Sequence, residues 1–180
     1  MDIERRFERK PFADLAHGTL FAGIIGRRCA VRAIKARAEI NKGEYGDFFV
    51  TVGPFDEEWG EFPVMHHPKA LYDDHVLELI GGYRISPSMS PDDFVPDLPP
   101  DDSLNGVLII LDDNQTLLSV AFFDEFKRMH QRWLDVQTGG ILLPPNHTNY
   151  TATRRWRITA PVDNAAPEII FDFVAEARKV

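Results

Sequence analysis

TLLSVAFFDEFKRMHQRWLDVQTGG, residues 116–140, is where the sequence makes its case for a helix. Asp124 is a helix-capping residue type, and Phe126, Met129, Trp133 and Val136 follow it at spacings of 3, 4 and 3, the period of one helical face. Gly139-Gly140 supplies a stop, and Pro144-Pro145 prevents a restart. The spacing therefore predicts a helix over 124–136. A rival reading begins it at Thr116, because Leu118 and Phe122 continue the same stripe. On the first reading, Val107–Leu111 and Thr116–Phe122 form a hairpin across Asp112-Asp113-Asn114-Gln115. Tyr150–Thr159 and Glu168–Val174 read as two further strands, so residues 105–180 are expected to form a β-β-α-β-β unit.

The first 83 residues read as strands and turns. Gly18 closes a turn before an apolar strand from Thr19 to Ile25, and Gly26-Arg27 begins a hairpin into Cys29, Val31 and Ala33. Asn41-Lys42-Gly43 and Tyr45-Gly46-Asp47 are loop chemistry, while Phe48–Val52 is a strand in composition and Gly53-Pro54 breaks it. Short strands at 62–66 and 75–80 complete an antiparallel sheet or small barrel. Between the two parts, residues 84–104 hold Pro87, Pro91, Pro96, Pro99 and Pro100 among five aspartates, which excludes a helix or a central strand. This stretch is either an acidic linker or a loop laid down on Phe94, Val95 and Leu98. The expected fold class is thus α+β with β predominating, in two parts (1–83 and 105–180) with the option of one shared core.

At 180 residues the chain can build a core without disulfides, and its lone cysteine, Cys29, permits none within the chain. The charged start MDIERRFERKPFADL has no apolar signal region, and no apolar run approaches the roughly 18 residues of a bilayer span. A soluble cytoplasmic protein with no membrane partner is expected. The net charge of −8 is unevenly spread: +5 over residues 1–42, −16 over 43–126 and +3 over 127–180. Such a field repels phosphate, which argues against nucleic acid as a partner. Arg154-Arg155-Trp156-Arg157 is the strongest basic-aromatic group, and it reads best as a strand with Trp156 in the core.

Two groups point to chemistry. VMHHPKALYDDHVLEL, residues 64–79, carries His66, His67, Asp73, Asp74 and His75. If strands 62–66 and 75–80 pair, His67, Asp74 and His75 meet, and imidazoles with a carboxylate suit a divalent metal such as Zn or Mn. The same residues equally make an ordinary polar loop, and then no cofactor is required. The second group, Phe55-Asp56-Glu57-Glu58-Trp59-Gly60-Glu61-Phe62, sets carboxylates around an aromatic anchor. With Asp92 and Asp93 it forms an acidic surface suited to a basic protein. GxGxxG, P-loop, GxSxG and HExxH patterns are absent.

The leading expectation is a non-enzymatic binding or accessory protein, of inhibitor or immunity type, whose acidic middle meets a basic protein surface. A metal-dependent hydrolase built on the His/Asp cluster is the alternative. A structural subunit of a larger assembly, or a homo-oligomer, is the third.

Overall fold

A computed structural model describes residues 7–26, 29–54, 62–87, 90–95, 105–111, 114–143, 150–162 and 166–174. Its strands are β1 (Phe7–Pro11), β2 (Leu20–Ile25), β3 (Cys29–Asn41), β4 (Glu44–Gly53), β5 (Val64–His66), β6 (His75–Leu79), β7 (Arg84–Pro87) and β8 (Phe94–Val95), followed by β9 (Leu108–Leu111), β10 (Thr116–Phe123), β11 (Met129–Asp135), β12 (Ile141–Leu142), β13 (Tyr150–Thr153), β14 (Arg155–Ala160) and β15 (Glu168–Val174). Twelve strands form one mixed sheet and β15-β14-β7 form a small antiparallel one. No described residue is α-helical; the short helices are 3-10 turns at Phe12–Asp14, Pro68–Ala70 and Pro91–Asp93. The protein is β-rich.

The helix expected over 124–136 is instead a hairpin loop followed by β11. Asp124 does cap, but it caps a turn: its carboxylate accepts the Phe126 and Arg128 backbone N–H groups, both at 2.9 Å. Lys127 adopts a φ of 60°, which ends any helical run there. β11 then pairs with β10 from Leu117↔Asp135 to Phe123↔Met129. Tertiary burial decides against the helical spacing. Trp133 and Leu134 are neighbours in sequence and both are buried, in separate core clusters. Only a strand sends adjacent side chains to opposite faces.

The mixed sheet closes on itself. β3 pairs with β4, β4 with β5, β5 runs parallel to β10, β10 pairs with β11 and β11 with β12. A parallel bridge between Arg37 and Gly140, with the Arg37 N–H donating to the Gly139 carbonyl at 2.8 Å, brings β12 back against β3. Ile34, Ala36 and Ala38 of β3, Val50 and Val52 of β4, Met65 of β5, Leu118 and Val120 of β10 and Leu134 of β11 fill the interior. Away from this barrel the sheet splays into two arms, β2-β6-β1 from β3 and β9-β13-β8 from β10. Residues 84–87 and 94–95 thus lie in sheets, both as edge strands, where proline is tolerated. Tyr45-Gly46-Asp47, read as loop, belongs to β4 because it continues the ladder with β3. Residues 150–159 are two strands rather than one, divided at Arg154 between the two sheets.

The small sheet seals the end of the barrel where the arms diverge. Trp156 and Ile158 are fully buried with Ile85 and Phe173 in the same cluster as the barrel interior. The Trp156 indole N–H donates to the Gly106 carbonyl at 2.7 Å, and the Phe173 ring lies 4.8 Å from the indole, centroid to centroid. A Cβ on Gly106, whose φ is +83°, would come within 2.6 Å of the Phe173 ring. Glycine is therefore required at this contact. Outside the barrel, Phe12, Leu15, Phe21 and Phe49 make a second cluster. Lys35, 2% exposed, is held there by the Phe12 and Ala13 carbonyls and by Asp47 at 3.1 Å. Burial pushes the Asp47 carboxyl up, but hydrogen bonds from His17 and Lys35 outweigh it and hold it below its ordinary range.

Trp156→Ala should cost about 3–5 kcal/mol in urea denaturation. Trp156→Phe, which keeps most of the bulk but strands the Gly106 carbonyl, should cost about 1–3 kcal/mol.

Candidate functional site

The two sequence-derived groups fare differently. Asp56, Glu57, Glu58, Trp59 and Glu61 lie outside the described residues. Asp92 and Asp93 occupy the 3-10 turn that leads into β8. Asp92 is exposed, while Asp93 is half-buried, its carbonyl accepting the Arg154 N–H at 3.0 Å. Of the eighteen carboxylates in residues 43–126, nine fall on described residues. Five of these meet bases of the chain: Asp47 with Lys35 and His17, Asp73 with Arg9 and His75, Asp74 with His75, Glu78 with Lys10, and Asp124 with Arg128 and His130. The other nine sit at 56–61, 97–102 and 112–113, beyond the description.

The His/Asp loop is split. β5 and β6 do not pair: β5 lies between β4 and β10, and β6 between β1 and β2. The premise that brought His67 to Asp74 and His75 is thereby corrected, because each strand finds its longer ladder elsewhere. His67 follows β5 and caps the 3-10 turn Pro68–Ala70, accepts the Lys69 N–H through Nδ1 and sets its ring edge-on to Phe48 at 5.8 Å. Asp73, Asp74 and His75 do gather, with ligand atoms within 4.8 Å of one another, and all three are exposed. His75 Nδ1 lies 2.7 Å from Asp74, and Asp73 accepts from Arg9 at 3.3 Å and from the His75 N–H at 2.9 Å. These contacts already satisfy the group as a turn closed by charge.

Arg155 and Arg157 both reach the Asp172 carboxylate, at 3.3 and 3.7 Å, on the face of β14 opposite the buried Trp156. An indole with no exposed surface offers no stacking platform for a base.

The chain matches no family model, no curated protein and no solved structure.

One site escaped the sequence. At the barrel end opposite the Trp156 seal, a cavity of about 850 Å³ opens between β3, β4, β5, β10, β11 and β12. Arg132 stands directly opposite Val120 in the β10–β11 register, so it shares the inward face with a fully buried residue. No sequence motif singles out Arg132; alternation within a strand is the signal that places it inside. Tyr45 carries the Arg37 guanidinium over its ring at 4.2 Å at the same mouth.

His66, by contrast, is accounted for by packing. Its ring stacks on Phe49 at 5.2 Å and approaches the Thr51 hydroxyl at 3.5 Å. Burial lowers its pKa from 6.5 to about 4. A folded-state value below the unfolded one means that protonation opposes folding. Stability should be full above pH 6.5 and fall as pH drops to about 4, by about 3 kcal/mol in all. His66→Phe should flatten that part of the pH–stability profile measured by chemical denaturation.

Proposed function

We propose that the protein is a non-enzymatic binding protein whose acidic segments engage a basic protein surface. The observation that carries this reading is the uneven charge of the sequence, a balance of −16 over residues 43–126. Bases from both ends of the chain, Arg9, Lys10, Lys35 and Arg128, meet carboxylates of the middle. In the sequence the carboxylates of the middle are concentrated in short stretches, with Asp56, Glu57, Glu58 and Glu61 around Trp59, and Asp92 and Asp93 ahead of β8. Clustered carboxylates steer a basic partner, and an aromatic residue among them supplies the desolvated anchor. An inhibitor of a nucleic-acid-handling enzyme is one concrete form, because carboxylates then stand where phosphates would bind. Cross-linking in cell extract, with mass-spectrometric identification, tests this. The expected partner is basic, is released by about 1 M salt, where the Debye length is about 3 Å, and is lost when Asp56, Glu57, Glu58 and Glu61 are changed to Asn or Gln. A partner held equally well by that variant would overturn the reading.

The metal-dependent hydrolase is the second reading, favoured by the gathering of Asp73, Asp74 and His75. Three water-exposed groups without His67 hold a metal ion weakly, so elemental analysis of tag-free protein should find sub-stoichiometric zinc and manganese. Stoichiometric metal that disappears in an Asp74→Ala/His75→Ala variant would place the hydrolase first.

A further inference from the structure

We infer that the open mouth of the barrel binds a small amphipathic anion, its apolar body against Phe48, Met65, Phe122 and Ile141 and its anionic head on Arg132.

The barrel is asymmetric along its axis. Its lower end is closed by Trp156 and Phe173, whereas the upper end opens into the cavity of about 850 Å³. That volume is within the range of about 300–1,000 Å³ typical of small-molecule sites, which recur in the mouths of β-barrels. The wall is largely apolar, and it continues outward as a rim of large side chains left in water. Ile40 is 55% exposed, Leu142 40% and Leu143 71%. Scattered exposed apolar residues mean little, but these three line one opening.

Arg132 makes this more than an apolar dent. It is half-buried on the inward face between positions occupied by His130 and Leu134. Its hydrogen bond goes to the neighbouring Gln131 carbonyl at 2.9 Å, and no carboxylate lies within ion-pair distance of it among the described residues. His130, the next inward residue, is held by Asp124 at 3.0 Å, so that carboxylate is already engaged with His130 and Arg128. Glu39 also lines the cavity, but its carboxylate accepts the Gly43 N–H at 2.7 Å. A guanidinium with free donors beside an apolar wall matches a molecule with one anionic group and a hydrocarbon or aromatic body. In a chain of net charge −8, a positive centre of this kind selects against the protein's own prevailing surface. A second cavity, about 600 Å³ and lined by Lys10, Glu78, Tyr83 and Arg84, differs in that its guanidinium is exposed to water on an edge strand rather than half-buried inside the barrel. Lys10 pairs there with Glu8 and Glu78, and the Tyr83 hydroxyl donates to the Gly18 and Val136 carbonyls.

The experiment titrates decanoate, and separately decanol, into isotopically labelled full-length protein and follows backbone and methyl chemical shifts. Saturable decanoate binding is expected, with the largest shifts at Met65, Phe122, Arg132 and Ile141. Decanol should bind at the same place more weakly. Arg132→Gln should weaken decanoate at least 10-fold while changing decanol less than 2-fold, and Arg132→Lys should recover part of the loss. Thermal unfolding of each variant reports whether it is folded. Should Arg132→Gln not fold, the wild-type comparison decides alone: decanoate binding no tighter than decanol overturns the proposal. So do the absence of saturation at millimolar decanoate, shifts confined to another surface, or equal losses of both ligands in Arg132→Gln.

Discussion

Two strands are longer than the neighbours available to them, and the rest of the structure follows from how their edges are shared. β3 gives one edge to β2 as far as Ile34 and then to β12 from Arg37. β10 gives one edge to β9 as far as Leu118 and then to β5 from Ala121. Buried backbone groups must be paired along the whole strand, so each change of partner is obligatory. It also splits the sheet. On one side of the change the strands close into a barrel, and on the other they diverge into arms. The divergence leaves an opening too large and too apolar to remain in water, and the β7-β14-β15 sheet fills it with Trp156, Ile158 and Phe173.

Electrostatics reinforces this arrangement from outside. Lys35 is a buried cation in an aromatic cluster, an expensive placement unless every donor is met. The carbonyls of Phe12 and Ala13 and the carboxylate of Asp47 meet them, and His17 orients Asp47 from the other side at 2.8 Å. One side chain on β3 thereby ties the segment 12–17 to the barrel wall. Among the described residues, Arg9, Lys10, Lys35 and Arg128 meet Asp73, Glu78, Asp47 and Asp124, so bases from outside the acidic middle are interleaved with some of its carboxylates.

Much of the strand content was legible from residues alone. The stretches at 19–25, 48–52, 75–80 and 107–111 carry apolar or alternating patterns between turn signals, and strands lie at each. The 3-4-3 spacing of Phe126, Met129, Trp133 and Val136 was misleading because the four residues do not share one element: Met129 and Trp133 lie in β11, Phe126 is exposed in the hairpin loop before it, and Val136 follows it. Asp124 compounded it, because a carboxylate that captures nearby backbone N–H groups serves a helix start and a hairpin loop equally well. The closure of the barrel was not legible. It depends on one backbone bridge at Gly140 and on a parallel pairing between β5 and β10, strands more than fifty residues apart in sequence, for which no local pattern exists. The mouth was hidden with it, since Arg132 has meaning only once its strand and its opposite number, Val120, are known.

The sealed and open ends of the barrel divide the mutational landscape between them. At the sealed end, Gly106 and Trp156 admit almost no replacement, since bulk on one collides with Phe173 and polarity lost from the other leaves a carbonyl without a donor. At the open end, Ile40, Leu142 and Leu143 carry little of the folding free energy because water already reaches them. Sequence drift across a lineage should therefore accumulate at the rim while the seal stays fixed. A protein organised in this way can change what it recognises without crossing its stability threshold, and the same separation makes the barrel a scaffold whose specificity can be rewritten by hand.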